Sequence, residues 1–233
     1  VEKYGVSVPV VWRGTRAAGA VLFALCLLAS CYIPDRFEAE IRLTKDGGFG
    51  VTYIGQLTYA PLFGQIARGQ IEPEKAEANE LMILEQLRRD TAFKEVNPLG
   101  RGRYQVRFER EGRFAGAMQM VNFATRQRAI FRIRTTEDGL VQMNGSGQGQ
   151  LYAERFEEVG LSTQGMIRVV TDVEVLEHNA TFVRASKTPG FTQYDWRIRN
   201  FRDEPPKFIG RLAIDPRTGV PAYRGGAGAK VDE

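Results

Sequence analysis

Two cysteines are all that the 233 residues contain, Cys26 and Cys31, both near the start of the chain. The 202 residues after Cys31 hold none. That stretch can form no disulfide of its own and offers neither a thiolate zinc ligand nor a thiol nucleophile. Histidine is scarcer still, with His178 alone. A metal site needs more ligands, better spaced, than one histidine and its neighbours Asp172 and Glu174. No metal, no cofactor and no catalytic residue is therefore expected. The chain has no Gly-x-Ser-x-Gly elbow, the hallmark of one large hydrolase class. The glycine-rich stretch Gly145-Ser146-Gly147-Gln148-Gly149 lacks the lysine of a phosphate-binding loop. Long apolar runs are missing too. The longest, residues 17–29, is 13 residues, short of the roughly 18 to 20 that span a bilayer as a helix. Charge of one sign is not in excess: 32 basic against 28 acidic side chains. From residue 31 onward the balance is 29 to 27, which gives no reason to expect nucleic acid as a partner.

The short apolar run is nevertheless the most informative segment. Arg13 and Arg16 precede it and small residues close it, the layout of a secretory signal peptide. The alternative is an uncleaved membrane anchor. The run ends in Leu28-Ala29-Ser30-Cys31, which resembles the lipobox of bacterial lipoproteins. The resemblance implies removal of residues 1–30 and a diacylglyceryl group on the Cys31 sulfur. It also implies further acylation, typically with palmitate, of the new N-terminus. Cys31 is then the lipid attachment site, and the membrane is a partner through its acyl chains. Two or three chains hold a protein durably where one is marginal. The implied location is the cell envelope, facing the periplasm or exterior. Tyr32 stands where Asp would retain a proteobacterial lipoprotein in the inner membrane. The resemblance therefore favours the outer membrane where there is one.

Residues 31–214 read as one α+β domain dominated by antiparallel sheet. Residues 37–44 alternate, with Phe37, Ala39, Ile41 and Leu43 on one face, as in a half-buried strand. Asp46-Gly47-Gly48 turns the chain, and the period of two resumes from Phe49 to Tyr59, where Pro61 ends it. Pro73, early acids and late arginines predict a helix over about 73–92 with Ala76, Leu81, Ile83, Leu84 and Leu87 as its apolar stripe. A strand follows at residues 103–110. A second hairpin spans residues 128–143 and turns at Asp138-Gly139. A second helix covers about 150–159, stopped by Gly160. Strands are expected at residues 166–177, 181–184, 193–199 and 208–214. The glycine-rich residues 215–233 read as a flexible tail. Both hairpins turn at Asp-Gly and both precede a helix.

The segment Gln164-Gly165-Met166-Ile167-Arg168-Val169-Val170-Thr171-Asp172-Val173 leads to Val175-Leu176-Glu177-His178-Asn179-Ala180-Thr181 and then Tyr194-Asp195-Trp196. In this order the segment resembles the LppM-like group of envelope lipoproteins, across residues 164–198. That resemblance implies a membrane-anchored α+β envelope domain, in one branch suspected of handling lipid.

Other residues invite chemistry without demanding it. Glu109, Glu111, Glu157 and Glu158 are numerous enough for a carboxylate pair, but charged surfaces look the same. Asn179-Ala180-Thr181 has the letters of a glycosylation site and reads as accidental. Arg103 with Arg107, Arg132 with Arg134, and Arg197 with Arg199 each share the outer face of a strand; neighbouring strands would make one basic sheet face. The aromatics Tyr53, Tyr59, Phe63, Tyr104, Phe108, Tyr194 and Trp196 are expected in the core. Two functional readings remain: a non-catalytic binding module for lipid or another envelope component, and a scaffold lipoprotein that docks on a membrane protein complex.

Overall fold

The computed structural model describes residues 32–115, 118–124, 129–215 and 218. Residues 1–30, where a signal peptide is expected, Cys31 and nearly all of residues 215–233 lie outside the described residues. Two sheets face each other. The larger has seven strands in the order β10-β11-β8-β1-β2-β4-β3, and the smaller five, β5-β6-β7-β12-β9. In chain order these are β1 Tyr32–Leu43, β2 Gly48–Tyr59, β3 Phe93–Gly100, β4 Arg103–Arg113, β5 Met120–Ala124 and β6 Ala129–Thr135. They continue as β7 Leu140–Gly145, β8 Gly165–Thr171, β9 Glu174–His178, β10 Phe182–Ala185, β11 Thr192–Ile198 and β12 Lys207–Arg211. Among the described residues there are four helices: α1 Ala60–Ala67, α2 Pro73–Arg88, α3 Gln148–Leu151 and α4 Ala153–Glu158. The fold is α+β and mostly antiparallel sheet, as expected, with β1 and β8 running parallel.

The hairpin β1–β2 follows its alternation. Ala39, Ile41, Leu43, Val51, Tyr53 and Leu57 are buried. Its turn donates Thr44 N–H to the Gly48 carbonyl and Gly47 N–H to the Thr44 carbonyl. In the hairpin β6–β7, Thr136 N–H reaches the Leu140 carbonyl and Gly139 N–H the Thr136 carbonyl. Both turns read Thr-x-Asp-Gly, and both glycines have positive φ, 88° at Gly47 and 74° at Gly139, which an L side chain strains to adopt. Leu212 N–H donates to the Gly139 carbonyl and Ala213 N–H to the Lys45 carbonyl. The segment after β12 thus ties the two turns together and closes one end of the molecule.

Several elements differ from expectation. β1 begins at Tyr32, five residues early, because a bulge between Asp35 and Glu38 breaks the alternation that marks the strand. Pro61 opens α1 rather than merely ending β2; proline suits a helix's first turn, where its missing N–H costs nothing. α2 stops at Arg88 instead of 92, because Asp90 Oδ1 accepts the Ala92 N–H at 3.0 Å and turns the chain into β3. Leu81 is exposed, outside the stripe of Ile83, Leu84 and Leu87. β3 carries polar residues and Pro98, which an edge strand tolerates. The helix expected over 150–159 is two short turns, α3 and α4.

Phe37 sits at the bulge with its backbone flanked by two glycines. A Cβ on Gly55 would lie 2.5 Å from Phe37 Cβ, and one on Gly165 would overlap the Phe37 ring and carbonyl. Gly165→Ala should therefore lower stability by roughly 1–3 kcal/mol. A urea midpoint unchanged from the parent chain would refute that packing account.

The Asp46 carboxylate takes hydrogen bonds from Thr44 Oγ1 and from Arg113 Nη2, the latter at 2.7 Å. Those contacts, Thr44 first, lower its pKa to about 2. Because the folded value lies below the unfolded one, its contribution is present above about pH 4 and is lost as pH falls toward 2. Exposure keeps that contribution small. Carboxyl NMR titration should place Asp46 near 2, with Thr44→Val returning it toward the ordinary range.

Candidate functional site

The end opposite the two turns, where β1 begins, stays open between the sheets. A pocket of about 140 Å³ lies there. Tyr32 and Phe37 of β1, Ile167 of β8, Ile198 of β11 and Ile130 of β6 give it apolar walls, and Pro205-Pro206 forms a rim. Gly145 admits that rim, since a Cβ there would come within 3.1 Å of both prolines. The stretch Gly145-Ser146-Gly147 borders the same opening. Arg132, Asp203 and Glu204 stand among its polar lining groups.

Local hydrogen bonds hold this shape. Asp35 accepts from Gln164 N–H at 3.1 Å and from Ser162 Oγ at 3.2 Å. Thr163 Oγ1 donates to the Pro34 carbonyl at 2.7 Å, and Phe37 N–H to the Gln164 carbonyl at 3.2 Å. Together they stitch the start of β1 to the approach to β8. Below the pocket a second apolar cluster, which includes Ile33, Phe63, Phe156, Leu161 and Phe201, seats α1 and α4.

Asn179 supports the pocket from behind. Its Oδ1 accepts from Trp196 Nε1 and from Lys207 N–H, both at 2.7 Å, and its Nδ2 donates to the Pro205 carbonyl at 3.0 Å. Its oxygen and its amide nitrogen are thus both bonded within the protein.

Cys31 lies outside the described residues. His178 meets the Tyr194 ring edge-on at 4.9 Å, and its Nδ1 accepts the Ala180 N–H at 3.2 Å. Asp172 is engaged elsewhere, taking the Lys45 N–H at 2.7 Å. Among the described residues no group of three or more His, Cys, Asp or Glu could hold a metal ion. Glu109 pairs with Arg107 at 2.5 Å, while Glu157 lies on α4 and pairs with Arg202, so the two glutamate pairs do not meet. Tyr53, Phe63, Tyr104, Phe108, Tyr194 and Trp196 are buried, as expected of core residues.

The conditional basic sheet face does not form from the paired arginines. β4, with Arg103 and Arg107, is separated from β11, with Arg197 and Arg199, by β2, β1 and β8. Arg132 and Arg134 are in the other sheet. Acids interleave with the arginines on the outer face. Arg168 pairs with Asp195 at 2.9 Å and with Glu40 at 3.8 Å, and Arg184 with Asp195 at 3.1 Å. The Arg168 pKa is raised, chiefly by that Asp195 bond. What sequence reading missed is the pocket itself, since its walls come from strands whose sheet partners periodicity does not reveal.

No family model matches the chain, and no curated protein matches it. Among solved structures it is similar to the NMR structure of the folded domain of the Mycobacterium tuberculosis LppM protein, at 7% identity and a TM-score of 0.36. The match covers 78% of this chain and 92% of that one. A likeness of that size carries no functional weight.

Asn179→Ala would leave the Trp196 indole N–H and the Lys207 amide without their acceptor. Groups stranded in this way typically cost about 1–3 kcal/mol each. A thermal midpoint within error of the parent chain would remove Asn179 from the support of the pocket.

Proposed function

We propose that this chain is a lipid-anchored envelope protein whose body is a non-catalytic binding module for lipid or another apolar envelope component. The observation that carries the reading is the pocket's position. It opens between the sheets at the end where Tyr32, the residue after Cys31, begins β1. Its walls are largely apolar with a few polar groups among them, the composition of sites that take amphiphiles. At about 140 Å³ it is smaller than the roughly 300–1,000 Å³ of drug-sized sites. It suits a segment of one acyl chain rather than a whole lipid.

The anchoring half of the reading rests on the lipobox-like Leu28-Ala29-Ser30-Cys31 and on Arg13 and Arg16 before the apolar run. The scaffold alternative finds support at the larger sheet's edge. All four residues of β10 are exposed there, including Phe182 and Val183, and a free edge strand can accept another chain.

Native mass spectrometry on the full chain, expressed in a bacterial host and released from detergent, tests the pocket. The expected spectrum shows a discrete mass that leaves on collisional activation and is identified as lipid. Ile130→Trp fills the pocket from β6 and should reduce that mass about tenfold, the effect of roughly 1.4 kcal/mol. Leu81→Trp, on the exposed side of α2, should leave it unchanged. A bare spectrum for the parent chain would transfer the weight to the scaffold reading.

A further inference from the structure

On the outer face of the larger sheet, at the same end as the pocket, an open groove of about 590 Å³ is lined by Arg36, Arg197 and Arg199. Glu38 is the one carboxylate that shares it, and Ile54, 56% exposed, supplies an apolar wall. Phe37 and Ile198 border both the groove and the inter-sheet pocket.

Several other arginines on the same face are neutralised, while Arg42 lies over the Phe191 ring and Arg103 donates to the Gly100 carbonyl. Arg107, Arg168 and Arg184 each pair with a carboxylate within 3.1 Å. Among the described residues Arg197 and Arg199 have no such partner within 4.0 Å. Arg36 has only Asp35, at 4.0 Å, and that carboxylate already takes the Gln164 and Ser162 hydrogen bonds.

The scaffold sets the backbone of Arg36 and Arg199 and the guanidinium of Arg197. Arg36 sits in the β1 bulge at φ 47°, in a region few side chains adopt without a local reason. Bulges re-aim side chains and recur beside functional sites. Its side chain is 69% exposed. Arg197 lies over the Phe182 ring, 5.7 Å from its centre, which holds the guanidinium while leaving its N–H groups free to donate. The backbone N–H of Arg199 is held by Asp203 Oδ2 at 2.6 Å. Three guanidiniums and the single carboxylate of Glu38 line the groove, which leaves its lining positive, and guanidinium forks match phosphate oxygens.

We propose that this groove is a phosphate site for the headgroup of an anionic phospholipid in the bilayer that holds the protein. Three features favour a lipid over a free anion: the exposed Ile54, the shared wall with the apolar pocket, and the position at the end where the chain enters. The inference rests on the anchored reading above only for bringing that bilayer close.

The test uses the full chain reconstituted into vesicles of phosphatidylcholine alone or mixed with phosphatidylglycerol. Arginine modification by phenylglyoxal is read residue by residue by mass spectrometry. Phosphatidylglycerol should slow modification of Arg36, Arg197 and Arg199 by roughly threefold or more while leaving the exposed Arg89 just after α2 unchanged. The protection should vanish in about 1 M salt, where charges are screened within about 3 Å. Equal rates in the two kinds of vesicle would overturn the proposal. So would equal protection by inorganic phosphate added to phosphatidylcholine vesicles, which would make the groove a free-anion site. As a second readout, R36Q/R197Q/R199Q should abolish the vesicle-dependent protection of Gln164 and Gly165 amides in hydrogen exchange. A triple variant protected like the parent would also refute the site. Loss of headgroup protection with the lipid mass retained by native mass spectrometry would sink the groove and spare the pocket.

Discussion

The packing of Phe37 against Gly55 and Gly165 is the constraint from which the functional end is built. β1 needs a neighbour on each side, and at this level both neighbours present a glycine. The bulge that brings the Phe37 ring inward also throws Arg36 outward. A single irregularity thus supplies one wall of the inter-sheet pocket and one guanidinium of the outer groove. The Phe37 and Tyr53 rings stack at 5.5 Å and connect the site to the main core. Asp35, bonded to Ser162 and Gln164, keeps the parallel strand β8 in register beside it.

The two ends of the molecule are finished differently. At one, a pair of like hairpin turns is bound by the segment that follows β12. At the other, short helices, paired prolines and a glycine-rich stretch meet without interlocking strands. Local order is achieved there by side chains that satisfy backbone groups, among them Asp35, Thr163 and Asn179. Such an end can hold a cavity because its perimeter is loop, whereas a continuous ladder of strands would fill the gap with paired side chains.

Much of the architecture is legible in the sequence where local physics decides it. The alternation from Phe37 to Leu43, the Asp-Gly turns and the Pro73 helix start are signals carried within a few residues. β3 escapes because Lys94, Glu95, Asn97 and Pro98 do not alternate cleanly, and it survives by pairing with β4. α1 escapes because Pro61 is as consistent with a stop as with a first turn. The arginine pairs show the limit most plainly. Their outward parity on each strand is readable, but β4 and β11 prove to be three strands apart, and β6 belongs to the other sheet. The grouping of Arg36 with Arg197 and Arg199 depends on a bulge and on a parallel pairing between residues 128 positions apart, which no local pattern encodes. Cys31 is legible only as a motif.

Tyr32 is both the first described residue of β1 and a buried one, 6% exposed. Consecutive Cα atoms are about 3.8 Å apart. If acyl chains are attached at Cys31, the body has almost no leash. A long polar tether lets a lipoprotein swing and search the space beyond its membrane. Here the central strand of the sheet would run straight from the lipid, and the body would stand at a fixed height with little freedom to tilt. Its working radius would be its own dimensions, and whatever it handles would have to come to the bilayer surface.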